Sequence, residues 1–175
     1  MASKGFIELL RLADLAKARS RGLQSGKDYD WRGVVFEVGD QRLVAPMGEV
    51  FEVLSIPEYT HIPMVEPWLL GIANIRGRLL PLTDLPQFLN VPSRQKKSLR
   101  KVLVIDNSTV FSGLVVDKVL GIEQFTHGQY RAEAIDSDSP FAPYNHGKFV
   151  KDQQEWFVFM PSLLAKDGRY IDAAI

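Results

Sequence analysis

Trp68–Leu89, WLLGIANIRGRLLPLTDLPQFL, is the stretch on which the reading of this chain turns. It opens apolar, passes Gly71, runs through Asn74–Ile75–Arg76–Gly77, and enters a second apolar tract, Leu79–Leu82, before Thr83–Asp84–Leu85. Glycine tolerates positive φ and the close approach of another backbone, so Gly71 and Gly77 mark places where one or the other is needed. Arg76 lies beside Gly77, in or next to a tight turn. A guanidinium rooted on such a turn points a planar fork of donors outward, which makes it a binding handle. A solvated turn arginine is the plain alternative. Asp84 follows an apolar strand and can cap the turn Leu85–Leu89 or pair with a nearby arginine.

Outward from this stretch the pattern is that of short strands. Gly33–Val38, GVVFEV, is followed by Gly39–Asp40, a strong hairpin signal, and RLVAPM returns as the second strand. Pro46 puts that strand near an edge or at its end. GEVFEVLSI is the third; if regular, it places Val50 and Glu52 on one face and Phe51 and Val53 on the other. Residues 57–67 carry Pro57, Pro63 and Pro67 and read as a surface connection. Residues 93–101, SRQKKSLRK, read as a solvated basic loop, and VLVID, 102–106, as a buried-type strand. In VFSGLVVDKVLGI, Gly113 marks a bulge or a close backbone approach, and Asp106 and Asp117 read as turn or surface groups. Residues 126–148 read as a long loop. EWFVFM, 155–160, is a strand, Pro161–Leu164 starts a short closing helix, and the tail Asp172–Ile175 is expected to fray.

The first 30 residues differ in kind. Phe6, Leu9, Leu10, Ala13 and Ala16 recur at helical spacing, so residues 5–20 are expected to form an amphipathic helix and 21–30 a linker. The helix stripe is expected to pack on the body of the chain or on a partner in preference to a membrane surface. Residues 31–175 then form the main domain. Many short strands with Gly and Pro turns, and too little helix for parallel crossovers, favour β barrels over an α/β layer fold. The strands group as 33–54 with 155–160, and 78–120.

The chain has 175 residues, of which 24% are charged with zero formal net charge. Nothing here attracts a phosphate backbone, so nucleic acid is not an expected partner. The absence of cysteine excludes disulfides, thiolate nucleophiles and cysteine metal sites. The acids and arginines in the first segment argue against a signal peptide, and no apolar run reaches the length of a membrane span, so direct membrane insertion is not expected. His61, His127 and His146 stand apart in loops without a second ligand at metal-binding spacing. No Walker loop, dinucleotide fingerprint or nucleophile elbow is present. No cofactor and no catalytic activity are expected.

Three pieces in register, FEVGDQRLVAPMGEVFEVL, the Asn74–Gly77 run and SGLVVDKVLGIEQF, resemble the CheW-like domain, the coupling domain of bacterial chemosensory systems. Within that family the chain is similar to the adaptors of type IV pilus chemosensory pathways. The resemblance covers Trp31 to about Ala165. It implies a mainly β fold of two packed five-stranded SH3-like β barrels, preceded here by the N-terminal helix. It also implies a non-enzymatic adaptor that couples a methyl-accepting chemoreceptor, through its cytoplasmic tip, to a CheA-type histidine kinase. Its place is then cytoplasmic, at membrane-associated receptor arrays, with twitching motility as the output. By residue-to-residue match, the protein-binding positions it implies are Val50 and Glu52 of the third strand, Gly71 and Arg76 of the motif, and Val115 and Val116 in the second lobe. Two features depart from the family pattern: the added residues 1–30, and Phe51, bulky where such adaptors often carry a polar residue.

The adaptor reading predicts an exposed apolar groove rimmed by Arg76 and Glu52, around Val50, Ile72 and Leu114 if these are not simply core. The alternative is a small β-barrel enzyme or ligand-binding domain, which needs convergent titratable groups in a cleft. A nucleic-acid-binding barrel needs exposed aromatics beside a basic stripe, whereas Trp31, Trp68 and Trp156 each start an apolar element and read as structural.

Overall fold

In the computed structural model the structure describes residues 31–175; the expected helix and linker over 1–30 lie outside the described residues. Eleven strands follow in chain order: β1 Trp31–Val38, β2 Gln41–Pro46, β3 Val50–Ser55, β4 Leu69–Ile75, β5 Arg78–Asp84, β6 Lys101–Asp106, β7 Phe111–Val116, β8 Lys118–Phe125, β9 Tyr130–Arg131, β10 Asn145–Lys151 and β11 Gln154–Phe159. They form two mixed sheets. One runs β8-β1-β2-β11-β10-β9 and the other β3-β6-β7-β5-β4. Each contains a single parallel pair, β11 with β2 and β5 with β7.

Neither sheet closes on itself, so the expected pair of five-stranded barrels is not what forms. The edge strands of the five-stranded sheet are β3 and β4. The free edge of β4 is occupied from the other side: Thr60 and Ile72 exchange both backbone hydrogen bonds, each 2.9 Å. Those groups are thereby withdrawn from any pairing with β3. The strand grouping also differs from the expected one. β3 leaves the sheet of β1 and β2, and β8 joins it, because the chain crosses between sheets through the β2–β3 turn and again at Asp117, the single residue between β7 and β8.

Three apolar cores result. The largest lies between the sheets and takes Val34, Phe36 and Leu43 from one and Val50, Leu103, Ile105, Leu114 and Val116 from the other. Each sheet also wraps a smaller core of its own: Trp31, Val44, Phe125, Phe149 and Trp156 in the first, and Ala73, Leu80, Leu82, Val102, Val104 and Val115 in the second. Strand β6 shows the logic. Val102 and Val104 point into the inner core and Leu103 and Ile105 into the shared one, which is why it reads as an unbroken apolar run. Gly113 is a close approach rather than a bulge: a Cβ there would come within 2.8 Å of Leu82 and Val102.

Asp84 does both things expected of it. It caps the short helix Leu85–Phe88 by accepting from the Gln87 amide, and it pairs with Arg100 at 2.9 Å. Asp117, expected at a turn or on the surface, sits at the bend between β7 and β8 but is buried there. It accepts from the amides of Gly39 (2.8 Å) and Arg94 (3.1 Å) and from the Ser93 hydroxyl, and Arg100 Nε lies 3.6 Å away. Residues 126–148 hold more structure than a long loop, including β9 and the start of β10. The tail is pinned rather than frayed: Glu66 donates to Ala173, and Ile175 to Met64.

Candidate functional site

The motif forms a hairpin. β4 and β5 pair from Ile75↔Arg78 outward, leaving Arg76 and Gly77 as a two-residue turn with φ of 51° and 81°. Two successive positive φ values are the signature of the hairpin turn whose twist matches its strands. The Asn74 side-chain carbonyl accepts from the Gly77 amide at 2.9 Å.

From this turn Arg76 reaches across the sheet opening to Glu52 on β3. Its two terminal nitrogens donate to the two carboxylate oxygens at 2.7 and 2.8 Å, a bidentate fork from the hairpin turn to the edge strand β3. Hydrogen bonding from the guanidinium holds the Glu52 carboxyl below its ordinary value, and Glu52 in turn raises Arg76. Beneath the fork lies a cleft of about 210 Å³, lined by Phe51, Ile75, Leu80, Val104 and Phe111. A second pair, Arg78–Asp106 at 2.6 Å, stands on the same rim, with the Arg78 guanidinium 3.8 Å from the Phe111 ring centre. The expected charged rim is therefore present around an apolar centre made of other residues. Phe51 is 64% exposed at its edge, and Leu79, beyond the turn, is equally exposed.

The other expected site residues sit elsewhere. Val50 is buried opposite Ile105, in the core between the sheets, and Leu114 lies in that core too. Ile72 lies away from the cleft, beside Tyr59 and Leu79 on a groove next to β4. Val115 and Val116 have no exposed surface; Val116 belongs to the shared core and Val115 to the inner core of the five-stranded sheet. Val115 lies beneath a second cleft at the opposite end of that sheet, near Asp84 and Arg100. Gly71 (φ 153°) is locked: a Cβ would stand 2.2 Å from the Thr60 carbonyl oxygen. The structure thus brings Arg76 and Glu52 together and leaves Gly71 and the three valines supporting the sheet from within.

The pairing of Arg78 with Asp106 and Phe111 was not legible in the sequence. The available signal was symmetric: an arginine on each side of Gly77, in a hairpin whose strands must both face the same opening. Asn74 carried the familiar mark of a side chain three residues before a turn glycine. Among the described residues no group of three or more His, Cys, Asp or Glu side chains is placed to hold a metal ion, and no helix is long and apolar enough to cross a membrane.

The CheW-like domain family model matches residues 32–167. Protein PilI of Pseudomonas aeruginosa is 39% identical over 165 residues, 94% of this chain and 89% of that protein. Chemotaxis protein CheW of Thermotoga maritima is 28% identical, over 54% of this chain and 62% of its own length, and protein FrzA of Myxococcus xanthus is 33% identical, over 51% and 56%. Among solved structures, the scaffolding protein TtCheW from Thermoanaerobacter tengcongensis superposes with a TM-score of 0.65, covering 74% of this chain and 88% of that one at 20% identity, a likeness of fold.

Proposed function

The chain belongs to the CheW-like domain family, non-catalytic adaptors that link chemoreceptors to CheA-type kinases, and from that premise we propose where on its surface, and in which pathway, it does so. The contact surface is the mouth of the five-stranded sheet: the Arg76–Glu52 fork, the apolar cleft below it and exposed Phe51. An apolar centre with a polar, partly paired rim is the anatomy of a protein-binding patch, and arginine and aromatic side chains are its usual anchors. Gly71, Val50, Val115 and Val116 serve the same surface indirectly, by fixing the backbone and curvature of the strands that carry it.

The pathway is a type IV pilus chemosensory one with twitching motility as its output. The extent of the match to PilI, nearly end to end, supports this branch over the general chemotaxis branch, where the relatives cover about half of the chain. The partners are then the regulatory domain of the pathway's CheA-type kinase and the cytoplasmic tip of its methyl-accepting receptor, met in the cytoplasm at membrane-associated arrays.

The observation that carries the assignment is the bidentate Arg76–Glu52 fork over an apolar cleft. The test is capture of the kinase regulatory domain and of a receptor cytoplasmic fragment by the intact protein and by Arg76→Ala. Loss of about tenfold or more in affinity for at least one partner, with an unchanged melting curve, is expected for an interface anchor. Unchanged capture of both partners overturns the assignment.

A further inference from the structure

We propose that Asn74 is the positioning residue of this surface: its side-chain carbonyl holds the turn from which Arg76 reaches Glu52. The purpose of that positioning rests on the contact-surface reading above; the geometry does not.

The Arg76–Gly77 turn needs positive φ at both positions. Gly77 supplies it freely, and a Cβ there would meet nothing within 4 Å. Arg76 does not. The residues suited to the first position of such a turn are Asn, Asp and Gly, and a long side chain at φ 51° is held against its own preference. Strain of this kind persists where surrounding structure over-determines it, and it collects at functional sites. Two ties act on this turn. The Ile75↔Arg78 pair closes its base, and the Asn74 carbonyl bonds the Gly77 amide at 2.9 Å, fixing the peptide immediately after Arg76.

That peptide sets the direction of the Arg76 Cα–Cβ bond. The fork requires both terminal nitrogens on both carboxylate oxygens, at 2.7 and 2.8 Å, from a side chain otherwise free to rotate in solvent. If the turn relaxes toward negative φ at Arg76, the root of the side chain swings and a bidentate fit is lost before any backbone pairing is. Asn74 lies outside the Phe51–Phe111 cleft and lines the neighbouring groove with Tyr59, Ile72 and Leu79. Its role at the fork is therefore exercised through the turn.

The experiment uses the full chain with Asn74→Ala, and Asn74→Ser in its place should the alanine variant fail to fold. Glu52 is titrated by carbon NMR of its carboxyl. The charged groups on its rim are Arg76, in direct contact, and the Arg78–Asp106 pair across the cleft. In the unaltered protein Glu52 titrates below the ordinary glutamate value. In the variant its midpoint is expected to move up toward that value, with capture of the kinase domain or receptor fragment weakened several-fold. An unmoved Glu52 midpoint overturns the positioning role whatever capture does. A moved midpoint with capture unchanged upholds the positioning role and overturns the assignment of the fork to the contact surface.

Discussion

Arg76, on the turn between β4 and β5, and Glu52, on edge strand β3, tie across the opening of one sheet with side chains where a barrel would close it with backbone. The distinction matters for function. A backbone ladder would seal the mouth, whereas a solvent-facing fork leaves the apolar cleft reachable and puts a charge pair on its lip. Arg76 is exposed and Glu52 only half-buried, so the fork adds little to stability. Its worth lies in what it presents.

This makes the acid response predictable. Glu52 titrates below the ordinary glutamate value because Arg76 hydrogen-bonds its ionised form. A depressed carboxyl pKa means that the fork is intact above the ordinary value and is lost as pH falls through the lower, folded-state value. Capture of the partner that meets this rim should stay flat from about pH 8 to about pH 5 and fall only below the reference value of 4.5. Affinity measured across that range checks it. A fall centred near neutrality would mean that a histidine, and not this fork, governs the contact.

Gly71 and Gly77 are both in the motif and both at positive φ, yet alanine should affect them unequally. At Gly77 the new Cβ meets nothing within 4 Å, so only backbone strain is added, about 1 kcal/mol. At Gly71 the Cβ lands 2.2 Å from the Thr60 carbonyl oxygen, on the bridge that covers the edge of β4. Backbone cannot yield cheaply there, so Gly71→Ala should cost at least about 3 kcal/mol, strain and clash together. Chemical denaturation of the two variants gives the comparison directly. Equal losses would mean that the Thr60 segment moves aside freely.

These two glycines also show how far the sequence could be read. A local requirement, such as positive φ, a capping aspartate at position 84 or an arginine on a turn, is written in neighbouring residues and was legible. Which sheet a strand joins was not. β3 and β8 trade sheets through a short turn and a single residue, and a two-residue period is the same in either sheet. Core and surface were equally hidden on β7, where both faces are buried: Val115 and Val116, implied as contact positions, are both interior, and so is Val50 at the start of the half-exposed β3. Asp117 was legible as a break between strands, but its burial was hidden for a related reason. A lone acid in an apolar run looks solvated until Gly39, Ser93, Arg94 and Arg100, far away in sequence, converge on it.

That convergence yields a prediction of large effect. Arg100 is buried between Asp84 and Asp117, the latter at the crossing between sheets. Removing the cation leaves two buried carboxylates without it, so Arg100→Ala should destabilise by about 3–5 kcal/mol. Arg100→Lys keeps the charge but not the fork that spans both acids, and should fall between the two. Denaturant midpoints would order the three proteins. If lysine matched arginine, the site would need only a positive charge.

The last prediction concerns the tail, which crosses from one sheet to the other. After β11 the chain passes through the turn Pro161–Lys166 and the short helix Gly168–Ile171, which lays Tyr170 flat on Trp68, ring centres 5.7 Å apart and planes within 11°. The Tyr170 hydroxyl donates to Ser112 at 2.6 Å and meets Thr83 at 3.3 Å, on β7 and β5. Burial raises its pKa above the ordinary tyrosine value, so the hydroxyl stays protonated through the neutral range and keeps its proton for Ser112. Tyr170→Phe preserves the stacking and removes the hydroxyl, and should cost about 1–2 kcal/mol. Tyr170→Ala removes the ring as well and should cost about 3–5 kcal/mol. Because the contact ties the tail to the five-stranded sheet, amide exchange should quicken at Glu66 and Ile175, whose amides bond across to Ala173 and Met64, before it quickens in β6. Uniform quickening in the alanine variant, with β6 as fast as the tail, would mean that Tyr170 supports the whole core and is not a local clasp.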